Sequence, residues 1–232
     1  MILISTLIPS KAHAVDISVG ATTWYTWWDH NAADDADDEG MDVDPAFMYG
    51  PALSVKFNND FNLTFVYLYG KFDATGRPDQ LYKANIKRSD ADLALNYRLN
   101  DYLKLFGGLK YIGFTSSVTS FDFEAKSRDI GPGLGISANF PVAENLFLLA
   151  NISGMYLWGS STETGFGVDE DYDCKDAVFN GTLSIAYYIA PASTVISLGG
   201  RYQYAKTVDG YGDGEVSKFY GFTLTATYNF SI

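Results

Sequence analysis

The residues that could perform catalysis are few in this sequence. It contains 2 histidines, and His30 is the one that remains if the first fourteen residues are removed as a leader. His30 stands beside Asp29, but a hydrolase also needs a nucleophile or a second acidic pair near its general base. No spacing singles out a serine, and the nearby acids lie in the same segment as His30. No motif supports catalysis, so we expect no catalytic residue and no cofactor; a hydrolase around His30 is the alternative.

Carboxylates crowd the segment from Asp29 to Ala46, which contains no lysine or arginine. Dense carboxylates can gather Ca²⁺, and the order of acids here loosely matches the start of a calcium-binding loop. The bidentate glutamate that should complete such a loop is absent, because Ala46 occupies its place. We interpret the segment as a solvated loop of mutually repelling charges, with divalent cations as the alternative and no metal site expected. The residues that would hold a cation are Asp35, Asp37, Glu39, Asp42 and Asp44.

Bulk composition narrows the class of protein. A formal net charge of −12 makes nucleic acid a poor partner, since phosphate binding requires basic clusters. The single cysteine, Cys174, excludes an intrachain disulfide and a cysteine-based metal site. We expect Cys174 to be a free thiol in a loop.

Apolar and polar residues alternate with period two in segment after segment from Val15 onward, and no stretch shows the spacing of an amphipathic helix. The last segment is the clearest, with one face apolar and the other made of small polar residues. Its apolar face reads Phe222, Leu224, Ala226, Tyr228, Phe230 and Ile232. The segments together predict an all-β protein, a single up-and-down antiparallel barrel of about ten strands, with eight as the alternative.

Short and long connections alternate between the predicted strands. We predict short turns at 58–60, 100–101, 141–145 and 190–193, and long loops at 29–46, 72–89, 116–126, 159–176 and 206–217. All long loops therefore lie at one end. Strands of about ten residues are long enough to cross a bilayer with tilt. No run approaches the eighteen or so apolar residues of a membrane-spanning helix, so a membrane form of this chain must be a closed barrel.

The first fourteen residues are typical of the remnant of a signal peptide. An apolar run ends at Ile8, and Ala12-His13-Ala14 has the spacing that signal peptidase cuts. We expect residues 1–14 to be removed and residues 15–232 to form one barrel domain.

With these features the chain resembles the family of small bacterial outer-membrane β-barrels, the porin-like and OmpA-type transmembrane barrels. The resemblance covers nearly the whole mature chain and implies a Gram-negative outer membrane, periplasmic termini and loops outside the cell. It also implies contact with outer-membrane lipid and lipopolysaccharide, and recognition of the C-terminal strand by the barrel-assembly machinery. Tyr228 and Phe230 fit the alternation of that strand, but Ile232 stands where an aromatic residue is usual.

The two faces of the predicted strands differ enough to assign them. The polar face contains Gly, Ser, Thr and Asn with few charges, whereas a water-exposed face would be dense in Lys and Glu. Aromatic residues gather near the loop ends of the strands, as expected for a girdle at a membrane interface. The predicted girdle residues are Tyr25, Trp27, Tyr69, Tyr111, Tyr156, Trp158, Tyr202 and Tyr204. The predicted lumen charges are Asp16, Lys56, Asp92, Arg98, Lys104, Lys110 and Arg201.

These charges define the functional alternatives. Ten strands enclose little free space, so the lumen is expected to be either a packed plug of ion pairs or a narrow, anion-favouring pore. We expect a structural or narrow-pore, porin-like barrel with acidic extracellular loops. The predicted loop 72–89 is the exception in charge, because Arg77, Lys83, Lys87 and Arg88 outnumber its acids; it could contact lipopolysaccharide phosphates, but surface salt bridges are favoured. The alternatives are an omptin-like or lipid-A-modifying hydrolase at His30, and a soluble lipocalin-like ligand-binding barrel.

Overall fold

The computed structural model describes residues 15–31, 41–76, 83–118, 122–165 and 167–231. The predicted signal-peptide remnant 1–14 lies outside these ranges, as do Asp35, Asp37, Glu39, Arg77 and Ile232. The described residues form eleven strands and one short 3-10 helix, Ala190–Ala192. The strands are β1 (Asp16–Asn31), β2 (Met41–Val43), β3 (Ala46–Lys56), β4 (Phe61–Gly76), β5 (Lys83–Arg98), β6 (Leu103–Val118), β7 (Phe123–Ala143), β8 (Leu146–Gly165), β9 (Val168–Ile189), β10 (Thr194–Gly210) and β11 (Val216–Ser231).

The strands close into a ring. β1 pairs antiparallel with β11 along its whole length, from Asp16 opposite Ser231 to Asn31 opposite Val216. β2 and β3 share one position in the wall, because both pair with β1 on one side and β4 on the other. The described wall therefore has ten positions, which confirms the predicted ten-strand up-and-down barrel over the eight-strand alternative. Within the described ranges, closure leaves no long sheet edge unpaired.

Asparagine side chains build two of the tight turns. The side-chain oxygen of Asn58 accepts hydrogen bonds from the backbone N–H groups of Asp60 (2.8 Å) and Phe61 (2.9 Å). Asn100 does the same before β6, accepting from Tyr102 and Leu103. An asparagine that bonds the backbone two or three residues ahead reproduces the geometry of a backbone turn. These turns lie at the end of the barrel where β1 begins and β11 ends, which we call the turn end.

The opposite end, which we call the loop end, differs from the sequence prediction. Much of the predicted loops 72–89 and 159–176 is strand, because β4 continues to Gly76, β8 continues to Gly165 and β9 begins at Val168. The backbone ladder continues wherever two antiparallel strands stay adjacent. The outer parts of β8 and β9 carry mainly polar side chains on both faces, so the alternation that marks a strand fades before these strands end. In β4 and β5 the outer parts turn apolar side chains such as Phe72 and Ile86 inward.

Large apolar side chains cover the outside of the barrel. Leu134 is 74% exposed, Phe222 63% and Leu198 61%, and outward aliphatic and aromatic residues recur on the other long strands. This is the arrangement of a wall that faces lipid. It opposes the soluble lipocalin-like alternative, whose apolar residues would face the interior. Among the described residues, no helix has the length and apolar character needed to cross a membrane.

The interior is not uniformly polar. At the loop end, buried apolar side chains pack across the lumen between β1, β3, β4, β5 and β11. The largest are Trp24, Met48, Leu68, Phe72 and Phe219. At the turn end, inward residues are mainly Asn, Ser and Thr, as the sequence pattern predicts. These apolar side chains exclude water from charged residues that lie in the middle of the lumen, which are described below.

Candidate functional site

A buried ion-pair cluster occupies the middle of the lumen. The guanidinium of Arg88 donates two hydrogen bonds to Asp90, from Nε at 2.9 Å and from Nη2 at 3.0 Å. Lys110 donates to Asp90 at 3.2 Å and to Asp92 at 3.0 Å. Arg201 approaches the same two carboxylates at 3.8 and 3.7 Å. We call these five residues the central cluster.

Strand register brings the central cluster together. Arg88, Asp90 and Asp92 alternate along the inward face of β5, and Lys110 of β6 stands directly opposite Asp92. Arg201 reaches the same carboxylates from β10, on the other side of the ring. The side chains of Arg88, Asp90 and Lys110 are 0%, 1% and 2% exposed. Charges this deeply buried require mutual pairing, because an unpaired one would cost several kcal/mol.

Aromatic rings pack against the arginines of the central cluster. The Arg88 guanidinium carbon lies 3.6 Å from the ring centre of Phe219 and 5.4 Å from that of Phe114. Arg201 lies 4.4 Å from the ring centre of Trp24. Such cation–π contacts are strongest where water is excluded. Three buried donors here have no hydrogen-bond acceptor among the described residues, namely Trp24 Nε1, Arg88 Nη1 and Gln203 Nε2.

Cavities lie on both sides of the central cluster. A cavity of about 230 Å³ lies next to the central cluster, and its lining combines polar residues such as Asn96 and Asn180 with apolar ones such as Val66 and Met155. A wider opening of about 780 Å³ lies at the turn end. At the loop end lies a cavity of about 350 Å³, which we call the vestibule. The described interior therefore contains one cavity beside the central cluster and one towards each end of the barrel.

Acidic residues dominate the vestibule. Its lining contains Asp129, Glu163, Asp176 and Glu215, with no lysine or arginine among the described lining residues. Burial, together with Asp176 and Glu163, raises the pKa of Glu215. Tyr211 donates a hydrogen bond to Glu163 at 2.8 Å, which raises the pKa of Tyr211 to about 12. The vestibule is therefore a small space of negative potential.

The cysteine lies in this space, contrary to the sequence prediction. Cys174 is not in a loop; it lies on β9, half-buried, with its Sγ 3.6 Å from an oxygen of Asp129. Asp129, Cys174 and Asp176 offer ligand atoms that all lie within 4.8 Å of one another. Gly159 leaves room for this approach, since a Cβ there would lie 1.9 Å from Asp129 Oδ1 and 2.5 Å from Cys174 Sγ. The predicted loop covered residues 159–176, but β8 and β9 remain paired through most of that range, up to Gly165 opposite Val168.

His30 has a serine neighbour that the sequence did not single out. The Nδ1 atom of His30 lies 3.0 Å from the Oγ atom of Ser217, and Trp28 Nε1 donates to the same Oγ at 3.3 Å. All three residues line the vestibule. His30 and Ser217 stand directly opposite each other on β1 and β11. The pair forms because the first strand of the barrel pairs with the last. The spacing of residues in the sequence therefore gives no sign of it.

The predicted lumen charges divide into two groups in the structure. Asp92, Lys110 and Arg201 belong to the central cluster, whereas Asp16, Lys56, Arg98 and Lys104 line the opening at the turn end. There Lys56 lies 3.5 Å from Asp16 in a half-exposed pair. The sequence prediction missed Arg88 and Asp90, because it placed Arg88 in the predicted loop 72–89 and did not assign Asp90 to the lumen face. The continued alternation of Arg88, Asp90 and Asp92 was the available signal.

The predicted girdle residues are all described and lie outside the lumen. The eight girdle aromatics lie on outward-facing positions, and Tyr25 contacts Trp27 edge-on at 4.8 Å between ring centres. Tyr156 and Trp158 form a similar pair at 5.6 Å.

The predicted cation-binding residues are described only in part. Asp42 lies on β2 and Asp44 follows it, while the other three residues are outside the described ranges. The cation-loop assignment stays a prediction.

Comparisons with known proteins agree with this architecture. No family profile and no curated protein sequence matches the chain. Among solved structures, the outer-membrane protease OmpT of Escherichia coli matches over 96% of this chain and 98% of its own, with a TM-score of 0.62 and 12% identity. The translocator domain of the autotransporter NalP from Neisseria meningitidis matches over 96% and 90%, with a TM-score of 0.56 and 9% identity. The chain therefore has the fold of small outer-membrane β-barrels, and these identities bear on the fold alone.

Proposed function

We propose that the protein is an integral outer-membrane barrel with a closed interior, which has a structural or surface role rather than that of an open pore. We also propose the orientation predicted from the sequence, with the turn end in the periplasm and the loop end outside the cell. The outward apolar belt supports membrane insertion, because burying those side chains in lipid removes their contact with water. Short turns at one end and longer strands and loops at the other support the orientation.

The central cluster is the observation that favours closure. A hydrated pore would leave its charged groups in water, yet Arg88, Asp90 and Lys110 are almost completely buried. Aromatic and aliphatic side chains fill the space around them. The pore alternative would require these pairs to separate, and separated buried charges are unstable.

Planar-bilayer recordings test the closed barrel directly. We expect the purified, heat-modifiable protein to show no steady conductance. The matched comparison is a lumen variant that removes bulk, Trp24→Ala with Phe219→Ala, which should conduct because it removes the rings that pack against Arg88 and Arg201. Stable single-channel steps in the wild-type protein would refute the closed barrel.

Whole-cell labelling tests the orientation. In a Cys174→Ser background, cysteines placed at Asn59 and at Asp213 mark the turn end and the loop end. An impermeant maleimide should label position 213 in intact cells and position 59 after the outer membrane is permeabilised. The reverse pattern would invert the proposed topology.

A second candidate function is a hydrolase at the His30–Ser217 pair. The 3.0 Å contact between Nδ1 and Oγ is the geometry in which a histidine can accept the proton of an attacking serine. An acyl or phosphoryl substrate would enter through the vestibule. A fluorophosphonate probe should then label the wild type but neither Ser217→Ala nor His30→Gln, while Ser161→Ala, a change at another vestibule serine, should leave labelling intact. Equal labelling of all four proteins, or of none, would exclude this hydrolase.

A further inference from the structure

Three cations form a patch on the outer surface of β4 to β7, at the loop end of the apolar belt. Lys71 of β4 stands directly opposite Lys87 of β5. Arg128 of β7 lies one row nearer the belt, level with Ser89 and Gly113. All three side chains are exposed, and the residues next to them in the chain are buried or half-buried on the lumen side. We call Lys71, Lys87 and Arg128 the cation patch.

The patch lacks the acidic partners that two other outward cations, Lys126 and Lys175, have. Like charges directly opposite each other on a sheet are destabilising. Elsewhere on the outer surface, Lys175 pairs with Asp209, and Lys126 pairs with Glu124. Among the described residues, no carboxylate forms an ion pair with any member of the cation patch. An external anion would relieve the repulsion that the fold leaves in place.

Hydroxyl groups lie beside the patch. A Cβ atom at Gly113 would lie 2.5 Å from the hydroxyl of Tyr111 and 3.0 Å from that of Ser89. The two hydroxyls therefore converge over a glycine, in the row that Arg128 completes. Hydroxyl donors beside cations are the groups that bind phosphate oxygens. The absence of a side chain at Gly113 keeps this place open to them.

The height and width of the patch indicate the kind of anion. The row next to it on the belt side reads Tyr67, Ala91, Tyr111 and Ile130, where the apolar surface begins. The patch thus lies at the level of lipid headgroups. From Lys71 to Arg128 the sheet spans three strand spacings, roughly 14 Å. That width suits a sugar headgroup with more than one phosphate better than it suits a single phosphate.

We propose that the cation patch, with the hydroxyls of Ser89 and Tyr111, binds the phosphorylated headgroup of a lipid-A-type glycolipid in the outer leaflet. Its acyl chains would lie along the apolar wall below. The assignment rests on the proposed function, since only an outer-membrane barrel with its loop end outside meets that lipid. Electrostatic attraction at a membrane surface contributes roughly a fivefold gain in binding for each lysine or arginine.

Lipid binding in detergent tests the site without depending on orientation. The probe is bisphosphorylated lipid A, and the readout is native mass spectrometry with the rise in unfolding temperature. The triple variant Lys71→Gln/Lys87→Gln/Arg128→Gln should lose about a hundredfold in affinity, which is three such steps. Gly113→Val, which keeps every charge, should also weaken binding because it displaces the two hydroxyls. The matched control Lys175→Gln/Lys206→Gln/Lys218→Gln makes the same change in net charge on β9, β10 and β11, and should retain affinity.

Several outcomes would overturn the assignment. Equal loss in the control triple would show that net charge, not the patch, holds the lipid. Equal binding of dephosphorylated lipid A would exclude phosphate recognition, and equal stabilisation by inorganic phosphate would exclude a lipid ligand. Whole-cell labelling decides the orientation separately, so failure of the proposed topology is distinguishable from failure of this site.

Discussion

Removal of the shared carboxylate from the central cluster is the most demanding test of the closed interior. In Asp90→Asn the side chain keeps its size but loses its charge, so Arg88 loses its bidentate partner and Lys110 loses one of two carboxylates. Breaking a buried ion pair by removing one partner typically destabilises a protein by about 3–5 kcal/mol. We expect a loss in that range, because Asp90 is 1% exposed and water cannot replace it.

Urea unfolding in micelles, followed by tryptophan fluorescence and heat-modifiable gel migration, measures this loss. The matched control is Asp101→Asn, which breaks the exposed pair of Arg98 and Asp101 and should change the free energy of unfolding by less than about 1 kcal/mol. A double variant, Arg88→Met with Asp90→Leu, should recover most of the stability, because buried ion pairs can be replaced by apolar residues of similar volume. If Asp90→Asn and Asp101→Asn have equal, small effects, the lumen is hydrated and the closed interior is wrong.

Further predictions address the vestibule and the lipid-facing wall. A cationic methanethiosulfonate should modify Cys174 faster than an anionic one of similar size, because carboxylates surround the thiol; equal rates would contradict the negative vestibule. Gly159→Val should destabilise the fold by about 1–3 kcal/mol, since its Cβ would overlap Asp129 Oδ1. The comparison is Gly167→Val, where a Cβ meets no atom but φ is positive, so this variant measures the cost of backbone strain without overlap. Leu134→Arg should destabilise the barrel in bilayers by roughly 2–4 kcal/mol if residue 134 faces the middle of the lipid; tolerance would argue against the assigned face. The pKa of Glu215 is raised by burial, so the folded state holds this proton more tightly than the unfolded chain, a contribution to stability present at low pH and lost as pH rises; Glu215→Gln should accordingly stabilise the protein more at pH 7 than at pH 4, and a reversed difference would refute the burial.

Turn chemistry and strand alternation were readable from local sequence because both depend on neighbouring residues. Asn58 and Asn100 form their turns through hydrogen bonds to the next two or three residues. The period of two places Phe222 and Leu224 on one side of β11 whichever strands lie beside it. By contrast, the ends of β8 and β9 could not be located, because their outer parts are polar on both faces and only the pairing of the two strands keeps them extended.

The candidate sites depended on contacts that span the chain. Lys110 and Asp92 were predicted as lumen charges from their inward position, but Asp90, the second carboxylate that Lys110 contacts, was missed. Arg201 reaches the cluster from β10, and its position there follows from the size of the closed ring. The pair of His30 and Ser217 exists because the first and last strands join.

The sequence by itself determined an all-β chain with alternating faces, since alternation follows from the two-residue period of an extended backbone, and its turn signals indicated about ten positions in the wall. The tertiary structure alone decided which charges meet inside the barrel, which rings pack against them, and which described outward cations have no carboxylate in ion-pair contact. The physical reason is that cross-strand register and ring closure set distances between residues far apart in the chain, and alternation along one strand contains no information about them.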